Sequence, residues 1–182
     1  MTRRSRSREV ALQLLFQREM NPSVDRAWIE RFAHDRLREP ELVPFCLGLF
    51  DGIAGNQESI DAQLAAAAEN WRLPRMAAVD RNVLRMGAYE LMFTPDTPSS
   101  VALNEAIELA RRYGSADSPA FVNGVLDRLR ESTGQRTEDG GQRTEDREQR
   151  TEDGGQRAED RGQRTEGRGQ RAEDRGEKEM DM

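Results

Sequence analysis

The chain reads as an all-α protein, a compact bundle of five to seven helices, on three observations. Apolar residues recur at three- and four-residue spacing through most of the first 130 positions. No stretch alternates apolar with polar residues over the length of a strand, and Pro or Gly marks nearly every junction. In the first helix Val10, Ala11, Leu14 and Leu15 form the apolar face, and Asn21-Pro22 terminates it. A second helix follows from about Val24, with Trp28, Ile29 and Phe32 on its inner face. Pro40 opens a third, whose stripe of Leu42, Phe45, Leu49 and Ile53 is resumed by Ile60 and Leu64, with Gly52 and Gly55 placed to break or bend it. A connection containing Asn70, Trp71 and Pro74 leads to the clearest pattern in the chain. There Val79, Val83, Gly87 and Leu91 form an i, i+4 row, and Gly87 permits close helix contact.

Pro95 and Pro98 end that element, and two further helices complete the folded part. Leu103, Ala106, Ile107 and Ala110 line one face of the first, which Gly114 stops by access to the left-handed conformation. Ser118 caps the next through its hydroxyl, with Pro119 at the first helical position. Phe121, Val122, Val125, Leu126 and Leu129 form its apolar stripe. Each buried Leu or Val contributes ~1.5–3 kcal/mol, so these stripes offset the ordering entropy without disulfides or metal.

Composition divides the chain in two. From Thr133 onward there is no Leu, Ile, Val, Phe, Tyr or Trp, and a seven-residue unit recurs with Gln at 135, 142, 149, 156, 163 and 170. Units such as QRTEDGG supply no apolar pair per heptad, which excludes a coiled-coil seam. The expectation is a helical domain over residues 1–132 and a disordered repeat tail over residues 133–182. Of 28 basic and 34 acidic residues, 11 and 15 lie in the tail, leaving 17 and 19 in the domain, a net charge of −2. A nearly neutral domain is no general coat for nucleic acid, yet it leaves room for a local basic patch. Arg3, Arg4, Arg6 and Arg8 precede the first acid of the chain, Glu9.

The parts of an enzyme are scarce. His34 is the sole histidine and lies on a polar stretch, so neither a Ser-His-Asp triad nor a multi-histidine metal site is expected. There is no GxGxxG, no P-loop and no CxxC, and the carboxylates alternate with arginines as on solvated helix faces. Cys46, among Leu42, Phe45 and Leu49, is expected to be a small core side chain rather than a reactive thiol. No apolar run approaches the ~20 residues that span a bilayer, and a cytoplasmic location is expected. The expectation is recognition without catalysis, cofactor or metal.

Three blocks, RSREVALQLLFQ, DRNVLRMGAYEL and VALNEAIELARRYGSADSPAFVNGVLD, resemble in order and spacing the NusB family of transcription antitermination factors. The resemblance spans roughly residues 3 to 130. It implies two small helical subdomains sharing a core, and a protein that binds boxA-type single-stranded RNA together with the ribosomal protein NusE within the transcription elongation complex. A homodimer is compatible with this reading. On the resemblance, the RNA meets Arg3, Arg4, Arg6 and Arg8 at the start, and Asp117, Ser118 and Phe121 at the last interhelical turn. NusE meets Phe16 and Asp80.

The residues themselves support parts of this and leave alternatives. Arginines at a helix N-terminus oppose the macrodipole by ~0.3–1 kcal/mol each, so phosphate binding gives them a reason to be there; a frayed, solubilising terminus is the other reading. Ser118 either caps or joins free N–H groups in binding an anion, and Phe121 either fills the core or stacks on a base. Asp117 repels phosphate and so restrains affinity or caps a helix. Asp80 is either an interface acid or half of a solvated pair with Arg81. Two other functions fit the composition: the RNA-binding accessory domain of an RNA methyltransferase, and a helical protein-interaction module without RNA.

Overall fold

The computed structural model describes residues 3–68 and 72–134. All of the expected repeat tail beyond Gly134, and Asn70 and Trp71 of the expected connection, lie outside the described residues. Among those described there are seven α-helices and no strand: α1 Arg3–Met20, α2 Arg26–Arg36, α3 Val43–Gly55, α4 Gln57–Ala67, α5 Ala78–Phe93, α6 Ser99–Tyr113 and α7 Ser118–Ser132. Short 3-10 turns, Pro40–Leu42 and Leu73–Arg75, lead into α3 and precede α5.

Local chemistry sets the boundaries. Asp25 caps α2 by accepting a hydrogen bond from the Trp28 amide at 2.7 Å. The stripe that the sequence carries across Gly52 and Gly55 is divided at Asn56, whose amide and side-chain Nδ2 both donate to the Gly52 carbonyl. Gly52 has a separate reason to lack a side chain, because a Cβ there would run into the Tyr89 ring.

α5 is the central element, packed against α1, α3, α4, α6 and α7. Helices α1, α2 and α3 group on one side, and α4, α6 and α7 gather around α5 on the other. One continuous apolar core runs through both groups, with Leu14, Ile53, Ile60, Leu64, Leu84, Met86, Leu126 and Leu129 among its fully buried side chains. At Gly87, α5 lies close against both α6 and α7: a Cβ there would lie 2.5 Å from Leu126 Cδ1 and 3.3 Å from Ala106 Cβ. That is the close contact its place in the row predicts.

Two features of the α6–α7 turn differ from expectation. Gly114 has φ −92°, not the left-handed value, and glycine is needed because a Cβ would collide with the Ser118 side chain. Ser118 is the first residue of α7 and does not cap it. Its Oγ accepts instead from the Ser115 amide at 2.8 Å, closing the turn backwards. Cys46 is wholly buried, and burial pushes its thiol up to about 12. No helix among the described residues is long and apolar enough to cross a membrane.

Candidate functional site

The arginine-rich start is the first two turns of α1, and its four arginines have four different surroundings. Arg3 is exposed and donates to Glu39 and, at 2.8 Å, to Glu41, beside the 3-10 turn before α3. Arg4 lies over the Phe45 ring, its guanidinium carbon 5.2 Å from the centroid. Arg6 donates to Glu9 at 2.7 Å and keeps 45% of its side chain in solvent.

Arg8 is different, and its expected phosphate contact does not fit its position. Its side chain is 3% exposed and forms a two-pronged bond to Glu90 of α5, 2.7 and 2.9 Å, with Glu105 of α6 3.7 Å away. Burial opposes its charge, but Glu90 and Glu105 outweigh that and hold the guanidinium above its usual range. The periodicity of the sequence gives a reason: Arg8 sits one turn before Leu12 on the face that α1 turns inward, and a charge there requires buried carboxylates. Glu9 and Glu90 are each 2% exposed, unlike the carboxylates of an ordinary solvated helix face.

Glu9 connects the two segments assigned to RNA. One of its oxygens accepts from Arg6 in α1, and the other from Arg112 near the end of α6, two residues before the Gly114 turn. Ser5 adds a second tie between these helices by donating to Glu105 at 2.6 Å. Beyond the turn, Asp117 is exposed and makes no capping bond with its side chain. Ser118 is buried with its hydroxyl engaged inside the turn, which argues against direct anion binding by that oxygen. Phe121 is half-buried and packs against the core.

The residues assigned to a protein partner border a different surface. Phe16, 38% exposed on α1, lines an apolar cleft of about 350 Å³ with Leu12, Trp28, Phe32, Val79 and Tyr113. Trp28 and Phe32 stack at 5.0 Å between centroids and face this cleft on one side and the core on the other, so the inner face of α2 is only partly inward. Asp80 follows Val79 in the first turn of α5, where the helix dipole favours an acid. Its Oδ1 is buried without a hydrogen-bond partner among the described residues. Arg81 does not pair with it. Arg81 bonds Glu19 and the carbonyls of Leu73 and Met76, at 2.7 and 2.9 Å, which removes the local charge pair as an account of Asp80.

A second polar network fixes that end of the molecule. Glu19 of α1 accepts from Arg81, from Asn82 at 3.0 Å and from Arg85 at 3.0 Å, while Arg85 grips Asp61 of α4 through two 2.8 Å bonds. Burial raises the Glu19 carboxyl, but Arg81, Asn82 and Arg85 together bring it below its usual value. Among the described residues no group of three or more His, Cys, Asp or Glu side chains is placed to hold a metal, and His34 is exposed.

A helical scaffold with a basic edge and a separate apolar cleft is the form of a recognition protein. The NusB family model matches residues 5–131, and the chain belongs to the NusB family. It is 46% identical over 139 residues to the transcription antitermination protein NusB of Sorangium cellulosum, covering 76% of this chain and 99% of that one. Against the corresponding protein of Myxococcus xanthus it is 41% identical, covering 71% and 95%. Among solved structures, T. maritima NusB superposes with a TM-score of 0.62 at 38% identity, covering 71% of this chain and 90% of that one. A NusB–NusE complex with double-stranded RNA shares the fold at TM-score 0.66 and 21% identity, covering 72% and 98%.

Proposed function

We propose that this protein is a transcription antitermination factor that holds boxA-type single-stranded RNA jointly with NusE and supports transcription of ribosomal RNA operons in the cytoplasm. The observation that carries this reading is the near full-length match to NusB relatives, with the three quoted blocks falling on α1, α5 and the α6–α7 pair. The RNA lies along the outer edge of α1, over Arg3, Arg4 and Arg6, toward the α6–α7 turn. Arg8 contributes by holding α1 against α5 and α6. NusE occupies the cleft beside Phe16, with Asp80 at its margin, as befits an apolar anchor next to an acid facing a basic ribosomal partner. A solved neighbour that contains NusE and RNA supports the pairing. The protein works by composite recognition, in which two proteins meet one RNA together.

The decisive experiment is titration of a labelled boxA-like strand into the purified protein, with and without NusE, at two salt concentrations. Binding should tighten when NusE is present and weaken as salt rises. Equal, feeble binding to boxA and to a scrambled strand would overturn the reading.

A further inference from the structure

We propose that Arg112 of α6 is an RNA-binding residue, acting with Arg6 of α1 as a two-guanidinium clamp on the phosphate backbone, and that buried Glu9 is the positioning residue that sets both. This rests on the RNA-binding reading above and extends it to a residue that neither the sequence pattern nor the family resemblance singled out.

Glu9 is 2% exposed, whereas Arg6 and Arg112 are 45% and 41% exposed. The carboxylate therefore lies beneath its two partners, and what solvent meets is guanidinium. An Nη of Arg6 donates to Oε2 of Glu9, and an Nη of Arg112 donates to Oε1. A guanidinium carries its five N–H donors in a rigid fork, so the bond to Glu9 fixes its orientation, and nearly half of each arginine side chain is open to an approaching phosphate. Two cations over one carboxylate give this triad a charge of +1 where α1 meets the end of α6, beside the buried Arg8 with its partners Glu90 and Glu105, which together carry −1. A phosphodiester chain running from the α1 arginines to the Gly114 turn crosses this point.

A clamp needs its cations held before the ligand arrives. An unrestrained surface arginine loses rotamer freedom on binding, and Glu9 removes part of that cost in advance. Arg111, the neighbouring cation, is placed differently: it pairs with exposed Glu108 of its own helix and has no tie to α1. It is the natural control.

The test is a salt-dependent titration of boxA-like RNA, with NusE present, using wild-type protein, Arg112→Gln and Arg111→Gln. Gln at 112 removes the charge and the fork while keeping a polar side chain; matching thermal unfolding of variant and wild type establishes that the fold is retained. Arg112→Gln should lose about tenfold in affinity and reduce the slope of log affinity against log salt by about 0.7, the loss of one phosphate contact on a single strand. Arg111→Gln should change neither by as much. Should Gln at 112 destabilise the fold, Arg112→Lys, which keeps the charge but not the fork, reports instead, with a loss of affinity at unchanged slope. Unchanged affinity and slope in the Arg112 variants, or equal losses at 111 and 112, would overturn the clamp while leaving the RNA reading intact. Failure of the wild-type protein to bind would overturn that reading itself.

Discussion

Arg8 and Glu90 meet as a two-pronged ion pair between α1 and α5, both side chains almost wholly out of solvent. Their bond ties the arginine-rich end of the chain to the central helix. Truncating one partner would leave the other charged and buried, a loss of about 3–5 kcal/mol, whereas replacing both with apolar residues of similar volume is often neutral. Arg8→Ala should therefore shift the urea midpoint sharply to lower concentration, and the double change Arg8→Met, Glu90→Leu should recover most of the loss. Should Arg8→Ala unfold like the wild type and lose only RNA affinity, Arg8 would return to the list of phosphate ligands.

The second network gives the protein an acid limit. Glu19 has its carboxyl below the usual value of 4.5, because Arg81, Asn82 and Arg85 outweigh its burial. A carboxyl lowered by folding contributes stability that is complete above its unfolded pKa and lost as pH falls through the folded one. Wild-type protein should thus be more stable than Glu19→Gln at neutral pH, and the difference should shrink below about 4.5 until it vanishes. A gap that stays constant down to pH 2.5 in denaturant titrations would place the effect of Glu19 in packing rather than charge.

Most helices were legible in the sequence because their apolar stripes keep one period and Pro or Gly stands at the junctions; α3 and α4 read as one broken stripe, because the division at Asn56 falls within a continuing apolar face. Positions near a contact between helices were less so. Gly114 looks like any helix-ending glycine, yet its reason is the Ser118 side chain four residues on, a clash that only the folded turn creates. Arg8 and Arg6 are alike in sequence, and the burial that separates them comes from Glu90, 82 residues away. Phe16 and Asp80 could be named from the family pattern, but the cleft that Phe16 lines needs α1, α2, α5 and α6 together. Arg112 was visible only as a charge on the outer face of α6. A faint signal was present, since Glu9 is the lone acid after four arginines.

Two glycines should respond in opposite directions to the same substitution. At Gly87 a methyl group would meet Leu126 and Ala106, and overpacking of this kind costs about 1–3 kcal/mol. At Gly124, inside α7, nothing lies within 4 Å of an added Cβ, and Ala there should stabilise by about 0.5–1 kcal/mol through helix propensity and a less flexible unfolded chain. Thermal unfolding of Gly87→Ala and Gly124→Ala decides it. A stable Gly87→Ala would mean that α5 and α7 are further apart than the structure has them.

Phe16 is exposed enough to be removed without emptying the core. Aromatic anchors in apolar clefts commonly contribute 2 kcal/mol or more to an interface, so Phe16→Ala should weaken NusE binding by roughly thirtyfold with little change in unfolding temperature. Asp80→Lys should also weaken it, through reversed charge at the cleft margin. If calorimetry finds both variants binding NusE as the wild type does, the interface lies elsewhere.

Asp117 stands at the entrance to α7 with an exposed carboxylate that makes no capping bond, close in sequence to the turn that the RNA path approaches. Its charge contributes nothing to the closure of that turn, which Ser118 and Gly114 accomplish, so its main effect on a polyanion is repulsion. Exposed charge interactions are typically worth about 0.2–1 kcal/mol, and Asp117→Asn should therefore tighten boxA binding by up to about fivefold without changing stability. The gain should be larger at low salt, where screening is weak, and should fade as salt rises. Weaker binding by the variant would show instead that the carboxylate accepts a hydrogen bond from the RNA, from a base edge or a 2′-hydroxyl, and would move Asp117 from restraint to readout.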